Sequence, residues 1–391
     1  MRRTALIIAL LAIMIPVVTG AEATYHSVST GSIVNDVAIT ADGRYMVAGT
    51  AEGRIICLQQ DGTVSWNVSA GSPVTTVAVA GARDYIAAGT ETGDLLLLDS
   101  EGNTHWTRSV RGPARGLAFS GDGLTLAVGS DRLTLYDHRG EEGWNFSTGA
   151  RASAGTISSV ALTQDGNYVV AGSDSGAVYY FGRRGNVIWQ ALAHGPVTAV
   201  DVSRDGAVIA AGGQDRALQI YRRAGILSRA TPTGAPILAL ALSGDGRFAV
   251  VGKEGGDLDC YRPDEGLLWK NRTGSDVLAV DISRRGEAAA AGTANGTVHL
   301  WNSGGEMRWS FDAGALAGAI ALSDSGDYLA AGAGERAFIF RTADAPVPAA
   351  AEEPRESTTP RPTPTLASGE GALIGLLAIG AAGVACYLRR R

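Results

Sequence analysis

Histidine, cysteine and carboxylate side chains offer metal binding and acid–base or nucleophilic catalysis, and each of these needs its residues grouped. The five histidines, His26, His105, His138, His194 and His299, are scattered along the chain without metal-ligand spacing. Neither a Gly-x-Ser-x-Gly elbow nor a phosphate-binding loop is present. The recurrent aspartates Asp42, Asp122, Asp165, Asp205 and Asp245 each precede a glycine. Asp-Gly at a tight turn is favoured for its backbone alone, so turn chemistry is the reading. Of the three cysteines, Cys57 and Cys260 share a repeat position and read as small buried hydrophobes, while Cys386 lies in a C-terminal apolar run. Arg183, Arg184, Arg204, Arg222, Arg223 and Arg229 gather in the fourth and fifth repeats. They read as a solvated face, with an anion or acidic partner as the alternative. Asn-x-Ser/Thr sequons stand at Asn67, Asn145, Asn271 and Asn295. Three of them follow a tryptophan closely, which places a glycan on an outer strand, in solvent.

The elements that must position these residues follow from an internal repeat. A small residue followed by Gly recurs at Gly49, Gly89, Gly129, Gly172, Gly212, Gly252, Gly292 and Gly332, with spacings of 40, 40, 43, 40, 40, 40 and 40. The single insertion is expected around Gly149 to Thr156. Within a unit, Val197 to Ser203 alternates, Asp205-Gly206 turns, Val208 to Ala211 is apolar and Leu218 to Tyr221 supplies a third strand, with a fourth near the next tryptophan. Each unit is thus a four-stranded meander, and eight of them predict an all-β, eight-bladed β-propeller rather than a solenoid, whose polar caps are missing. Aligning Tyr25–Val34 with Trp66–Val74 puts Tyr25 at a tryptophan position and makes the N-terminal segment the fourth strand of the last blade, closing the ring. Trp66, Trp106, Trp144, Trp189, Trp269 and Trp309 are expected to pack across blade boundaries, with Arg229 in that place in the fifth unit.

The Gly-x-x-x-Trp turns, as in Gly62/Trp66 and Gly305/Trp309, resemble the repeats of quinoprotein (PQQ-dependent dehydrogenase-like) propellers. Ala193-His194-Gly195 through Asp205-Gly206 to Asp215 and Tyr221 looks equally like a WD-repeat unit. The resemblance spans residues 25 to 341 and implies the fold; both families host enzymes, scaffolds and adhesive proteins. Quinoprotein enzymes hold their cofactor beneath an adjacent-cysteine disulfide and coordinate calcium, and this chain has no adjacent cysteines. No cofactor, metal or catalytic residue is therefore expected. A chain with a Thr/Pro stalk and a C-terminal anchor also resembles exported archaeal propeller proteins.

The ends supply an address. Residues 1–23, a basic start and an apolar run closing on Ala21-Glu22-Ala23, read as a signal peptide, with an uncleaved anchor as the alternative. The propeller is assigned to 24–343, a Pro/Thr-rich linker to 344–371, a transmembrane helix to 372–388 and a cytoplasmic Arg tail to 389–391, with a processed sorting tail as the rival for the last two. The net charge of −6 argues against nucleic acid as a partner. The expectation is an exported, membrane-tethered binding or adhesion module for protein or glycan. The alternatives are a quinoprotein-like redox enzyme and an envelope-protein assembly scaffold. Loops away from the termini are the candidate surface, with Asp131, Arg132 and Arg151 as its residues.

Overall fold

A computed structural model describes residues 25–81, 84–148 and 155–343. It contains eight four-stranded antiparallel sheets. Blades one to seven are continuous in sequence, for example blade five, whose strands are Val197–Val202, Val208–Gly213, Ala217–Arg222 and Leu227–Pro232. First strands touch first strands all the way round, so they form the wall of a central channel, and fourth strands lie at the rim. No helix occurs among the described residues. The signal-type segment, the linker and the apolar run 372–388 lie outside them.

The repeat builds each blade in the same way. In blade five the Val208 N–H donates to the Ser203 hydroxyl (3.0 Å), that hydroxyl donates to Asp205 (2.7 Å), and Asp205 accepts from the Ala207 N–H (2.9 Å). The Asp-Gly pairs therefore close the turn between first and second strands, as their sequence implies. Alternate third-strand residues face opposite neighbours. Leu218 and Ile220 join Ile237, Val251 and Tyr261 of blade six, while Tyr221 joins Val170 and Tyr180 of blade four. Each core thus lies between blades, and a blade has no hydrophobic interior until its neighbour arrives.

Blade eight takes its fourth strand from the other end of the chain. Tyr25–Ser29 pairs antiparallel with Arg336–Arg341, completing the sheet begun by Ala317–Leu322 and Tyr328–Ala333. The closure is as expected, but its register is one residue different. His26, not Tyr25, holds the tryptophan position, lying over Gly62 as Trp66 lies over Gly102. Tyr25 instead packs on Phe311 and Phe340, with ring centroids 4.7 and 5.6 Å away. Anchoring the alignment on the following Gly-Ser pair, rather than on aromatic character, gives this register.

The expected single insertion resolves into two changes in blade three. Its turn between second and third strands, Ser130-Asp131-Arg132, is two residues shorter than Thr90-Glu91-Thr92-Gly93-Asp94 of blade two. The following connection is longer: Trp106 stands eight residues before Ala114, whereas Trp144 stands thirteen before Ile157. Most of that connection, 149–154 with Arg151, lies outside the described residues.

Candidate functional site

Strand direction sorts the loops onto two faces. Second-to-third-strand turns and blade-to-blade connections share one face, as the bond from the Ala70 N–H to the Gly53 carbonyl (2.7 Å) records. The turns within the other two strand pairs form the opposite face. Tyr25 begins and Arg341 ends on that opposite face, since they stand at the same end of their strand pair. The first face, hereafter the loop face, carries Asp131 and Arg132 of blade three, both half-buried. The Asp131 N–H donates to the Arg111 carbonyl (3.2 Å), and its carboxylate lies 3.9 Å from the Arg111 guanidinium. The Ile157 N–H donates to the Ser130 carbonyl (2.8 Å), which sets the short turn beside the end of the lengthened connection.

At the loop-face end of blade six lies a charged cluster not anticipated from the sequence. Lys253 is fully buried where other blades have Thr50, Thr90 or Ser173. Its ammonium donates to the Thr233 carbonyl (3.1 Å) and Asp259 (2.6 Å), and Asp259 also accepts from the Tyr261 hydroxyl (2.9 Å). Nearer solvent, Asp257 pairs with Lys270 at 2.6 Å and Arg272 at 3.2 Å. Burial pushes the Asp257 carboxyl up, but Lys270, with Lys253 and Arg272, outweighs it and holds it below the ordinary range. In blade seven His299 is buried against Trp301, with centroids 5.3 Å apart. Burial lowers it to about 4, so it is neutral at physiological pH.

The channel wall holds three carboxylates. Asp36, Asp201 and Asp281 each accept the next residue's N–H and reach across a blade boundary to Val77 (2.8 Å), Leu242 (2.7 Å) and Leu322 (2.6 Å). Burial raises them to about 6, 6 and 7 against the opposing pull of these N–H groups. At the terminus-bearing mouth Arg204 of blade five passes the small Gly244 and meets Asp324 of blade eight at 2.5 Å. Arg284 stands 4.0 Å from the same carboxylate. This clasp crosses the opening and neutralises charge locally. No group of three or more potential metal ligands occurs among the described residues.

The remaining sequence-selected residues are placed as follows. Trp66, Trp106, Trp144, Trp189, Trp269 and Trp309 each donate an indole N–H to a carbonyl of the next blade: Ser100, His138, Arg183, Arg223, Ser303 and Thr342. Arg229 makes the equivalent bond to Asp264 (3.0 Å). Asn67 and Asn145 are exposed on outer strands, and Asn295 is exposed on a loop-face turn. Asn271 differs from the solvent-facing expectation: its amide nitrogen, the atom a glycan would occupy, donates to the Gly305 carbonyl of blade seven (2.9 Å). Arg222 pairs with Asp264 beside a depression of about 330 Å³ between blades five and six on the terminus face. Arg223 caps the Asp205 carbonyl and covers the Tyr168 ring. Cys57 and Cys260 are buried free thiols, both raised by burial to about 12.

Comparison with known proteins supports a propeller with WD-like and PQQ-like repeats. The profile of the family described as outer membrane protein assembly factor BamB matches residues 51–231, and that of the WD domain, G-beta repeat, matches 269–302. No curated protein sequence matches the chain. Among solved structures, the computationally designed Ika8 protein is similar at TM-score 0.70 and 18% identity, covering 82% of this chain and 100% of that one. Chaetomium thermophilum Sqt1, bound to the N-terminus of ribosomal protein L10, gives 0.71 and 14%, covering 82% and 100%. The C-terminal WD40 domain of Sif2 gives 0.68 and 14%, covering 81% and 98%. At these identities the likeness is one of fold.

Proposed function

We propose that the chain is a non-catalytic binding platform, exported and tethered outside the cell membrane, that captures a protein or glycan ligand on its loop face. One observation carries this reading. Two departures from the repeat, the short Asp131-Arg132 turn and the lengthened connection that follows Thr148 and returns at Gly155, meet on the face away from the chain ends; Arg151 belongs to that connection by sequence. Loop variation on a rigid ring is where recognition groups are placed, because the scaffold tolerates it there. A structurally similar propeller with a ribosomal-protein N-terminus bound supports a protein ligand. The leader-type start and the apolar run closed by Arg389-Arg390-Arg391 support the address.

A second reading, a scaffold for assembling envelope proteins, is favoured by the BamB-profile match over 51–231. The quinoprotein-like redox reading has less behind it, since no adjacent cysteine pair exists to cover a quinone. Crosslinking of the full chain in its native envelope, followed by identification of the trapped partner, tests the platform. Replacing Asp131, Arg132 and Arg151 together with alanine is expected to lower capture at least about tenfold, the loss of roughly 1.4 kcal/mol, with an unchanged melting temperature. Undiminished capture by the triple variant would sink the assignment, and a quinone absorbance in the purified protein would restore the enzyme reading.

A further inference from the structure

On the terminus-bearing face, single exposed apolar residues stand beside the turns between third and fourth strands in blades one and seven, Val64 and Met307, whereas blades four to six carry them in pairs. Blades four to six expose Val187, Ile188, Ile226, Leu227, Leu267 and Leu268 at or beside the turns between their third and fourth strands. Ile226 keeps 64% and Leu267 55% of its surface exposed, so these side chains are not covered by the ring. The same turns carry Arg183-Arg184 in blade four, Arg222-Arg223 in blade five, where Arg222 pairs with Asp264 of blade six, and Arg262, Asp264 and Glu265 in blade six. Arg183 and Arg184 are exposed and make no ion pair with any described residue. The equivalent turns of blades one to three read differently: Asp61, Asp99, Glu101, Asp137 and Glu141, opposed by Arg139 alone.

We propose that this arc, apolar over blades four to six and basic on blades four and five, rests on an anionic lipid surface, so that the ring sits tilted on one edge. Exposed apolar side chains flanked by the free Arg183-Arg184 pair match a bilayer interface, where the apolar groups enter the headgroup boundary and the guanidinium groups meet phosphate. The acidic arc opposite would be repelled, which fixes the direction of tilt. Both described chain ends emerge on this face, and the segments continuing from them each carry an apolar run, Ala5–Val18 and Ala372–Leu388. The inference rests on the tether reading for the bilayer's proximity, and on the arc itself for the contact.

The test uses the full chain with vesicles of phosphatidylcholine alone or with about 30% phosphatidylglycerol. Flotation with the neutral vesicles reports the tether. Hydrogen exchange reports the arc. Exchange in 183–188 and 223–228 should slow on the anionic vesicles, while 99–104 and 137–142 stay unchanged. Each arginine is expected to strengthen docking about fivefold, so R183Q/R184Q should weaken the docked state roughly 25-fold without loss of flotation. L227Q/L267Q should do the same, and its melting temperature checks that the ring is intact. Equal exchange on both lipids, protection of the acidic arc instead, or concentration-dependent protection of 183–188 without lipid, which would make a second copy the occupant, each overturns the proposal.

Discussion

Gly305 occupies a left-handed conformation, φ +83°, and a Cβ there would lie 2.5 Å from the Trp269 ring. Gly314 shares the conformation, φ +75°, with nothing within 4 Å. Gly314→Ala should therefore cost only its backbone strain, about 1 kcal/mol, while Gly305→Ala adds displacement of the indole and should cost about 2–4 kcal/mol. Paired denaturation curves check this, and equal losses would mean that the tryptophan yields freely. The Gly-Trp seam was legible because a bulky residue and a glycine recurred at fixed separation. The channel carboxylates were not: Asp36, Asp201 and Asp281 look like any strand aspartate until the next blade presents its N–H. Lys253 was equally invisible, since its partners Thr233 and Asp259 come from a neighbouring connection and the following strand.

Those carboxylates give the first strands a pH response. A carboxyl whose folded pKa is raised binds its proton more tightly folded than unfolded, so it adds stability as pH falls through that folded value. Asp281, raised to about 7, and Asp36 and Asp201, raised to about 6, should thus stabilise the ring between pH 8 and about 5. His299, lowered to about 4, acts oppositely below its unfolded value near 6.5, cancelling part of the gain. Below about pH 4 the turn carboxylates Asp165 and Asp205, where hydrogen bonds outweigh burial and hold the pKa low, lose their contribution. The urea midpoint is expected to be higher at pH 5 than at pH 8, and D281N should shrink the difference. A midpoint that falls steadily from pH 8 to pH 5 would contradict the assignment. At the same scale, deleting Tyr25–Ser29 uncovers Arg336–Arg341 and the Phe338–Phe340 surface, so the melting temperature should drop by about 10 °C or more. An unchanged value would mean the ring does not depend on that seam. The blade count was readable from the rhythm of glycines, yet that ruler reported only the net change in blade three, because a shortened turn and a lengthened connection partly cancel between Gly129 and Gly172.

For the whole molecule, the two proposed surfaces lie on opposite faces and should respond independently. R183Q/R184Q is expected to leave ligand capture intact, and D131A/R132A/R151A to leave vesicle docking intact, within about 0.5 kcal/mol for sites this far apart. Loss of both activities in either variant would point to general damage rather than to two sites. The seam between Tyr25–Ser29 and Arg336–Arg341 has a mechanical consequence. Tyr25 and Arg341 leave from the same end of one antiparallel pair, so tension between the two ends loads its hydrogen bonds singly and in succession. The ring would unzip there under a modest pull. A load carried from the loop face to one chain end is instead shared with the packed interfaces between blades, which makes direction of pull, as much as strength of folding, decide when the ring opens.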